Sequence, residues 1–227
     1  MKKKFFRIVV LVLVLFVGYK VVASGMSGLN LGSFFGDNIK RAKTDNGWNL
    51  ILVNQDFYVP KDYEVPLLEL SNGQKVDERI YPDLQQMFDD MRAEGVNPEV
   101  SWGYRTHETQ TRLFDEGVQY RMDNGHSKEE AKRLTSEAVA IPGTSEHELG
   151  LAIDVVDNGL SYATQPMYDW LAAHSNKYGF ILRYPANKVD ITKIMYEPWH
   201  FRYVGKEHAE KIFNEGLVLE EYIERLN

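Results

Sequence analysis

Leu149 to Val156 is an apolar run with the character of a strand, and a carboxylate, Asp154, stands inside it between Ile153 and Val155. Carboxylates are rarely buried without a partner, so a fold that covers this strand must also bring a partner to Asp154. The chain contains no cysteine. No disulfide framework holds the fold, no thiolate binds a metal, and no cysteine serves as nucleophile. Any metal must therefore sit on His, Asp or Glu. At 227 residues the chain has room for one domain, or one domain and a tail, and its 44% hydrophobic and 26% charged composition is that of a globular protein.

The charges are unevenly placed. Residues 1–23 hold Lys2, Lys3, Lys4, Arg7 and Lys20 and no acid, leaving 21 bases against 33 acids and a formal net charge of −12 in the remainder. Nucleic acid is not an expected partner, because its binding is dominated by basic contacts to phosphate. Ile8 to Val17 is an unbroken apolar run behind a basic start. Residues 1–23 thus read as a targeting segment, either a signal peptide with small residues at Val21-Val22-Ala23 or an uncleaved signal anchor over Phe5 to Ala23. Either way the remainder is expected outside the cytoplasm, anchored to the cell membrane or secreted. Glycines at 25, 28, 32 and 36 among polar residues make 24–47 an expected flexible linker, and 48–227 the folded domain.

Within 48–227, Leu50 to Val53 and Val76 to Ile80 read as short strands on either side of a turn at Ser71-Asn72-Gly73. Pro82 to Glu94 reads as a helix, with Leu84, Met87, Phe88 and Met91 on one face and Gly95 as its stop. Val100 to Tyr104 is extended. A second helix starts at Thr106, with Phe114, Val118 and Met122 on one face and Gln110 one turn earlier pointing inward. Ser127 and Glu130 make a capping box for a third helix. Pro166 to Tyr178, Lys206 to Asn214 and Leu219 to Leu226 are further expected helices, and Phe180 to Tyr184 and Ile194 to Val204 look strand-like. The fold class is α+β, a small antiparallel sheet with helices packed mainly on one side.

Two segments carry the chemistry: Ser145 to Asp154, and Glu197-Pro198-Trp199-His200. Between them they supply imidazoles and carboxylates, which suits a catalytic zinc with three protein ligands, one open position and a carboxylate that is not a ligand. The His-Glu-x-x-His pattern is absent, because Leu151 follows where a second histidine would stand. His147 and Asp154 are seven apart, so a regular strand would point them to opposite faces. Gly150 permits the change of course that would let them converge, and Pro198 does the same between Glu197 and His200. Glu146 and Glu148 read as solvated loop acids, and His107, His126, His174 and His208 as surface or hydrogen-bonded histidines.

Ser145-x-His147-x-x-Gly150-x-Ala152-x-Asp154 with Glu197-x-x-His200 resembles the zinc D-alanyl-D-alanine carboxypeptidases of the VanY type, a group that includes VanX-type dipeptidases and hedgehog-like domains. Gly103-Tyr104-Arg105, Gln110, Pro142-Gly143-Thr144, Tyr178 to Pro185 and Tyr196 to Gly205 are similar to that family in the same order. The resemblance implies a hedgehog/D,D-peptidase-like fold and one Zn²⁺ per chain on His147, Asp154 and His200. It implies Glu197 as the general base that takes a proton from water and passes it to the departing amine. Arg105 would polarise the scissile carbonyl, and Gln110 and Ser145 would hold the substrate's terminal residue. The implied enzyme is a metallocarboxypeptidase that removes the last D-alanine from peptidoglycan stem pentapeptides or their precursors, in wall remodelling or glycopeptide resistance, with the membrane reached through the N-terminal segment. An L,D-carboxypeptidase or endopeptidase on the same scaffold, or a non-catalytic peptidoglycan-binding domain, are the alternatives.

Overall fold

The computed structural model describes residues 39–160 and 162–226. The expected leader or anchor at 1–23 and most of the expected linker lie outside the described residues. Among the described residues, no helix is long and apolar enough to cross a membrane. The described end of the linker is packed: β1 (Lys40–Arg41) pairs in parallel with β2 (Phe57–Tyr58), and Ala42 is buried in the main core. The folded unit thus starts ahead of the expected boundary at 48.

A hairpin of β3 (Leu67–Glu69) and β4 (Lys75–Asp77) turns at Asn72-Gly73, with Gly73 in the left-handed region. The larger sheet is antiparallel and has four strands: β5 (Pro98–Trp102), β6 (Ala152–Asp157), β7 (Phe180–Leu182) and β8 (His200–Tyr203), in the spatial order β5-β6-β8-β7. Seven helices of one turn or more accompany the strands among the described residues: α1 (Tyr81–Ala93), α2 (His107–Asp123), α3 (Lys128–Ser136), α4 (Gln165–His174), the single-turn α5 (Val189–Thr192), α6 (Lys206–Glu215) and α7 (Leu219–Leu226).

Strand alternation divides the sheet into two unlike faces. Val100, Ile153, Val155, Phe180, Phe201 and Tyr203 share one face. They pack with Leu84, Met87, Phe88 and Met91 of α1 and with Met167, Trp170 and Leu171 of α4 in a single core. Full burial of each such side chain contributes about 1.5–3 kcal/mol. On the opposite face Asp154 lies across from His200, and Ala152 across from Arg202. Two smaller clusters complete the interior: Ile181, Val204, Ile212, Leu219 and Tyr222 where α6 and α7 meet the sheet, and Phe114, Val118, Ala131 and Ile141 between α2 and α3.

Several strand expectations were too generous. Residues 51–53 lie outside any strand after a 3-10 turn at Trp48–Leu50, although Ile51 and Val53 are fully buried. Their neighbourhood needs no strand ladder because Arg202 Nη2 donates to the carbonyls of Asn49 and Ile51, at 3.1 and 2.9 Å. β4 stops at Asp77, whose carboxylate accepts from the Arg79 backbone amide and starts a 3-10 turn at Glu78–Ile80. Of Ile194 to Val204 only His200–Tyr203 is strand, Pro198 having no amide to give a ladder. The helix after Pro166 ends at His174, followed by a 3-10 turn at Ser175–Tyr178. Met122 is exposed rather than packed with Phe114 and Val118.

The strand expected from Leu149 starts only at Ala152. Glu146–Leu149 is a 3-10 turn, and Gly150 then takes φ +69° and reverses the chain into β6. A β-carbon at Gly150 would lie 2.7 Å from Val65 Cγ1 and 3.1 Å from the Asp77 amide nitrogen. Gly150→Ala is therefore expected to cost about 2 kcal/mol through the left-handed backbone and the crowding together. Chemical denaturation of the two proteins measures this; an unchanged midpoint would show that the turn relaxes freely.

Candidate active site

Asp154 on β6 and His200 on β8 occupy directly opposed positions in the antiparallel ladder, so register alone brings a carboxylate and an imidazole together. His147 reaches the same point from the 3-10 turn before Gly150, where the Ser145 side chain accepts from the His147 amide at 3.3 Å. The three side chains are buried, and one donor atom from each lies within 4.8 Å of the others. Asp154 Oδ1 is 3.5 Å from His147 Nε2 and 3.3 Å from His200 Nδ1. Donors about 2.0–2.2 Å from a tetrahedral ion stand roughly 3.3–3.5 Å apart, and the two separations from Asp154 Oδ1 match that spacing.

Neighbouring groups fix which atoms face inward. His147 Nδ1 donates to the Gly103 carbonyl at 2.8 Å, leaving the Nε2 lone pair toward Asp154. Gly103 is itself pressed against the β3–β4 hairpin, since a β-carbon there would fall 2.1 Å from the Lys75 carbonyl oxygen. Asp154 Oδ2 accepts from Arg105 Nη2 at 2.8 Å, and Ser101 Oγ donates to the Asp154 carbonyl at 3.1 Å. The Arg105 guanidinium lies over the Trp102 ring, 4.8 Å from its centroid. Asp154 Oδ1 is buried and has no hydrogen-bond partner, a costly arrangement for a carboxylate unless a cation occupies the gap.

Glu197 stands beside this cluster without belonging to it. Its Oε2 lies 3.3 Å from His200 Nδ1, and its amide donates to the Tyr184 carbonyl at 3.1 Å. Tyr184 packs edge-on against His200, with centroids 4.8 Å apart. Burial pushes the Glu197 carboxyl up, against the pull of His200. Burial acts in the same direction on Asp154, but there His147, His200 and Arg105 outweigh it and hold the carboxyl well below the usual range. Two carboxylates within one site are thus driven apart in basicity, which suits one as a ligand and the other as a proton carrier. Burial and the nearby Arg105 push His147 down to about 4, so its imidazole is neutral near pH 7 and free to donate a lone pair.

The other sequence-selected residues are near but engaged. Gln110 is fully buried, with Nε2 donating to the Ala140 carbonyl at 2.6 Å and Oε1 accepting from Arg105 Nη1 at 3.4 Å. Ser145 is buried as the cap of the turn that carries His147. Glu146 and Glu148, expected in solvent, are both buried. Glu148 accepts from the Gly143 amide at 2.8 Å and pairs with His107 at 3.0 Å, tying α2 to the loop before the site. Glu146 Oε1 accepts from Arg183 Nε at 2.8 Å and Arg202 Nη1 at 2.9 Å. Burial opposes the charge of Glu146, yet Arg183 and Arg202 outweigh it and keep the carboxyl far below its ordinary range. The available signal was Arg183 and Arg202 inside the strand-like segments Phe180 to Tyr184 and Ile194 to Val204, which call for a buried acid.

Comparison with known proteins finds one family with both D,D- and L,D-carboxypeptidases among the similar structures, the LdcB LD-carboxypeptidase being 34% identical with a TM-score of 0.67 and covering 82% of this chain and 94% of that one. A family model described as VanY, D-alanyl-D-alanine carboxypeptidase, matches residues 73–206. A D-alanyl-D-alanine carboxypeptidase of Enterococcus faecalis is 47% identical over 184 residues, covering 81% of this chain and 69% of the relative. The solved structure of VanYB in complex with D-alanine-D-alanine is 48% identical with a TM-score of 0.75, covering 78% of this chain and 98% of that one. A vancomycin-resistance D,D-pentapeptidase VanY mutant in complex with Zn(II) is 48% identical with a TM-score of 0.74, covering 78% and 99%.

An ion that binds the folded cluster alone stabilises it by mass action. Zinc at about one hundred times its dissociation constant is expected to add ~2.7 kcal/mol and raise the melting temperature by roughly 5–10 °C. Thermal melts with zinc and with a chelator measure this. Coincident curves would mean that the orphaned Asp154 oxygen is not a metal ligand.

Proposed function

This chain belongs to the VanY D-alanyl-D-alanine carboxypeptidase family, and on that premise we propose that His147 Nε2, Asp154 Oδ1 and His200 Nδ1 hold the zinc of a D,D-carboxypeptidase whose general base is Glu197. The enzyme releases the C-terminal D-alanine from peptidoglycan stem pentapeptides. One observation carries the assignment of roles: two buried imidazole nitrogens converge on an orphaned carboxylate oxygen, with a fourth group beside them, a second carboxylate, that the cluster does not use. A purely structural site has no need of that fourth group.

Zinc in this place supplies a Lewis acid for the scissile carbonyl and lowers the pKa of water. The chain's own groups do the rest. Glu197, raised by burial, accepts the proton that water loses as its oxygen bonds to the carbonyl carbon. Delivering that proton to the amide nitrogen as the C–N bond breaks lets free D-alanine leave, and the shortened peptide keeps the new carboxylate. Arg105 has two tasks. Nη2 fixes Asp154 Oδ2, while the remainder of the guanidinium, held by the long contact to Gln110, offers a positive charge to the developing oxyanion. Gln110 and Ser145 serve the substrate's terminal residue through Arg105 and the His147 turn, since both side chains are already bonded there.

The protein acts outside the cytoplasm on the cell wall, held to the membrane by residues 1–23 or freed by their cleavage. The net negative charge of the domain means that attraction to anionic wall polymers does not gather it there. Trimming of D-alanine termini serves glycopeptide resistance or wall remodelling; the first is supported by a relative described as a vancomycin-resistance D,D-pentapeptidase.

Glu197→Ala is expected to retain zinc, measured by metal analysis after gel filtration, and to lose about 10²–10⁴-fold in kcat. Full turnover by this variant would remove the base assignment. Arg105→Lys should lower kcat roughly 10²-fold or more with little change in KM; an effect on KM alone would restrict Arg105 to ground-state binding. Mass spectrometry of stem pentapeptide and tetrapeptide after incubation should show loss of D-alanine from the pentapeptide. Cleavage of the tetrapeptide alone would make the enzyme an L,D-carboxypeptidase.

A further inference from the structure

His200 has two ring nitrogens, and the structure gives them different neighbours. Nδ1 faces Asp154 Oδ1 and Glu197 Oε2, both at 3.3 Å. Nε2, on the far side of the ring, is buried with no hydrogen-bond partner and points at Glu146 Oε2, which is buried and equally without one. These two orphaned atoms are 3.7 Å apart. The other oxygen of Glu146 is already doubly held, by Arg183 Nε and Arg202 Nη1, and both arginines are fully buried. Arg202 cannot swing away, because its remaining nitrogens bond the carbonyls of Tyr203, Asn49 and Ile51. Arg183 is fixed in turn by two bonds to Glu220 of α7, at 2.9 and 2.6 Å. The carboxylate is thus immobilised with one acceptor oxygen directed at one imidazole nitrogen.

We propose that Glu146 is a positioning residue for His200: its Oε2 engages the Nε2–H, which fixes the tautomer and turns the Nδ1 lone pair toward Asp154 and His147. The inference rests on His200 being a zinc ligand. Neutralisation of two arginines alone would not require an oxygen aimed at the ring. A carboxylate behind a metal-bound imidazole raises its basicity as well as holding its plane, and loss of such a partner typically weakens metal affinity 10–100-fold. The arrangement parallels the Gly103 carbonyl behind His147, but with a charged acceptor in place of a neutral one.

Glu146→Asp keeps the charge that Arg183 and Arg202 require but withdraws the carboxylate by one methylene from His200. It should fold and bind zinc 10–100-fold more weakly in a chelator competition. Affinity within threefold of the parent would overturn the proposal. Glu220→Gln removes charge from the same network without touching His200 and is expected to lower thermal stability while changing zinc affinity less than threefold. Equal losses of affinity in both variants would reduce Glu146 to a counter-ion and overturn it as well. Nitrogen NMR of the histidine-labelled, unmutated protein gives a reading independent of variant folding. Zinc should shift His200 Nδ1 and leave a protonated Nε2. Zinc on Nε2 would refute the role of Glu146 while leaving the metal site standing, whereas no shift at either nitrogen would refute the ligand assignment itself.

Discussion

The cross-strand pairing of Asp154 with His200 sets a carboxylate and an imidazole side by side on one face of a small buried sheet, and the surrounding structure is organised around that juxtaposition. The opposite face can be wholly apolar only because strand alternation separates the two chemistries residue by residue. α1 and α4 cover the apolar face, so the free energy that keeps the polar face in place comes from the far side of the same strands. A ligand pair built this way inherits the stiffness of the ladder rather than of a loop. His147, arriving on a 3-10 turn, needs separate support from Ser145, Gly103 and Gly150.

Burying charge is expensive, and this molecule buries a good deal of it. Glu146, Arg183, Arg202 and Glu220 form two acids and two bases in one connected group, each multiply hydrogen-bonded. Breaking such a group by removing one partner typically costs about 3–5 kcal/mol, because the remaining charges stay buried. Asp154 is treated differently. One oxygen is matched by Arg105, and the other is left without a partner in the place where the donors converge. The contrast separates a network whose charges are paired among themselves from a cluster in which a carboxylate oxygen is left open where the donors converge.

Much of this was legible in the sequence. An aspartate within an apolar strand, with a glycine and a proline where the chain must turn, marked the two segments whose side chains cluster, while the choice of ligands among them came from the family resemblance; the helical periodicity of Leu84 to Met91 identified a core face correctly. Several of the errors share one physical origin, which is dependence on distant partners. Leu50 to Val53 has strand composition, but its neighbouring carbonyls are satisfied by Arg202, about 150 residues away. Glu146 looks like a loop acid locally and becomes a buried anion only through Arg183 and Arg202, 37 and 56 residues downstream. Ile194 to Val204 looks strand-like in composition, yet only His200–Tyr203, between β6 and β7, finds a ladder.

The bonds from Arg183 to Glu220 carry an implication for the order of events during synthesis. A chain emerges from its amino end, so His147, Asp154 and His200 are all available before α7 exists. Arg183, however, cannot settle into the interior with its charge balanced until that last helix docks. Completion of the domain therefore waits on α7, and a nascent chain, or one truncated before it, would hold His147, Asp154 and His200 while lacking the counterweight that lets the interior come to rest.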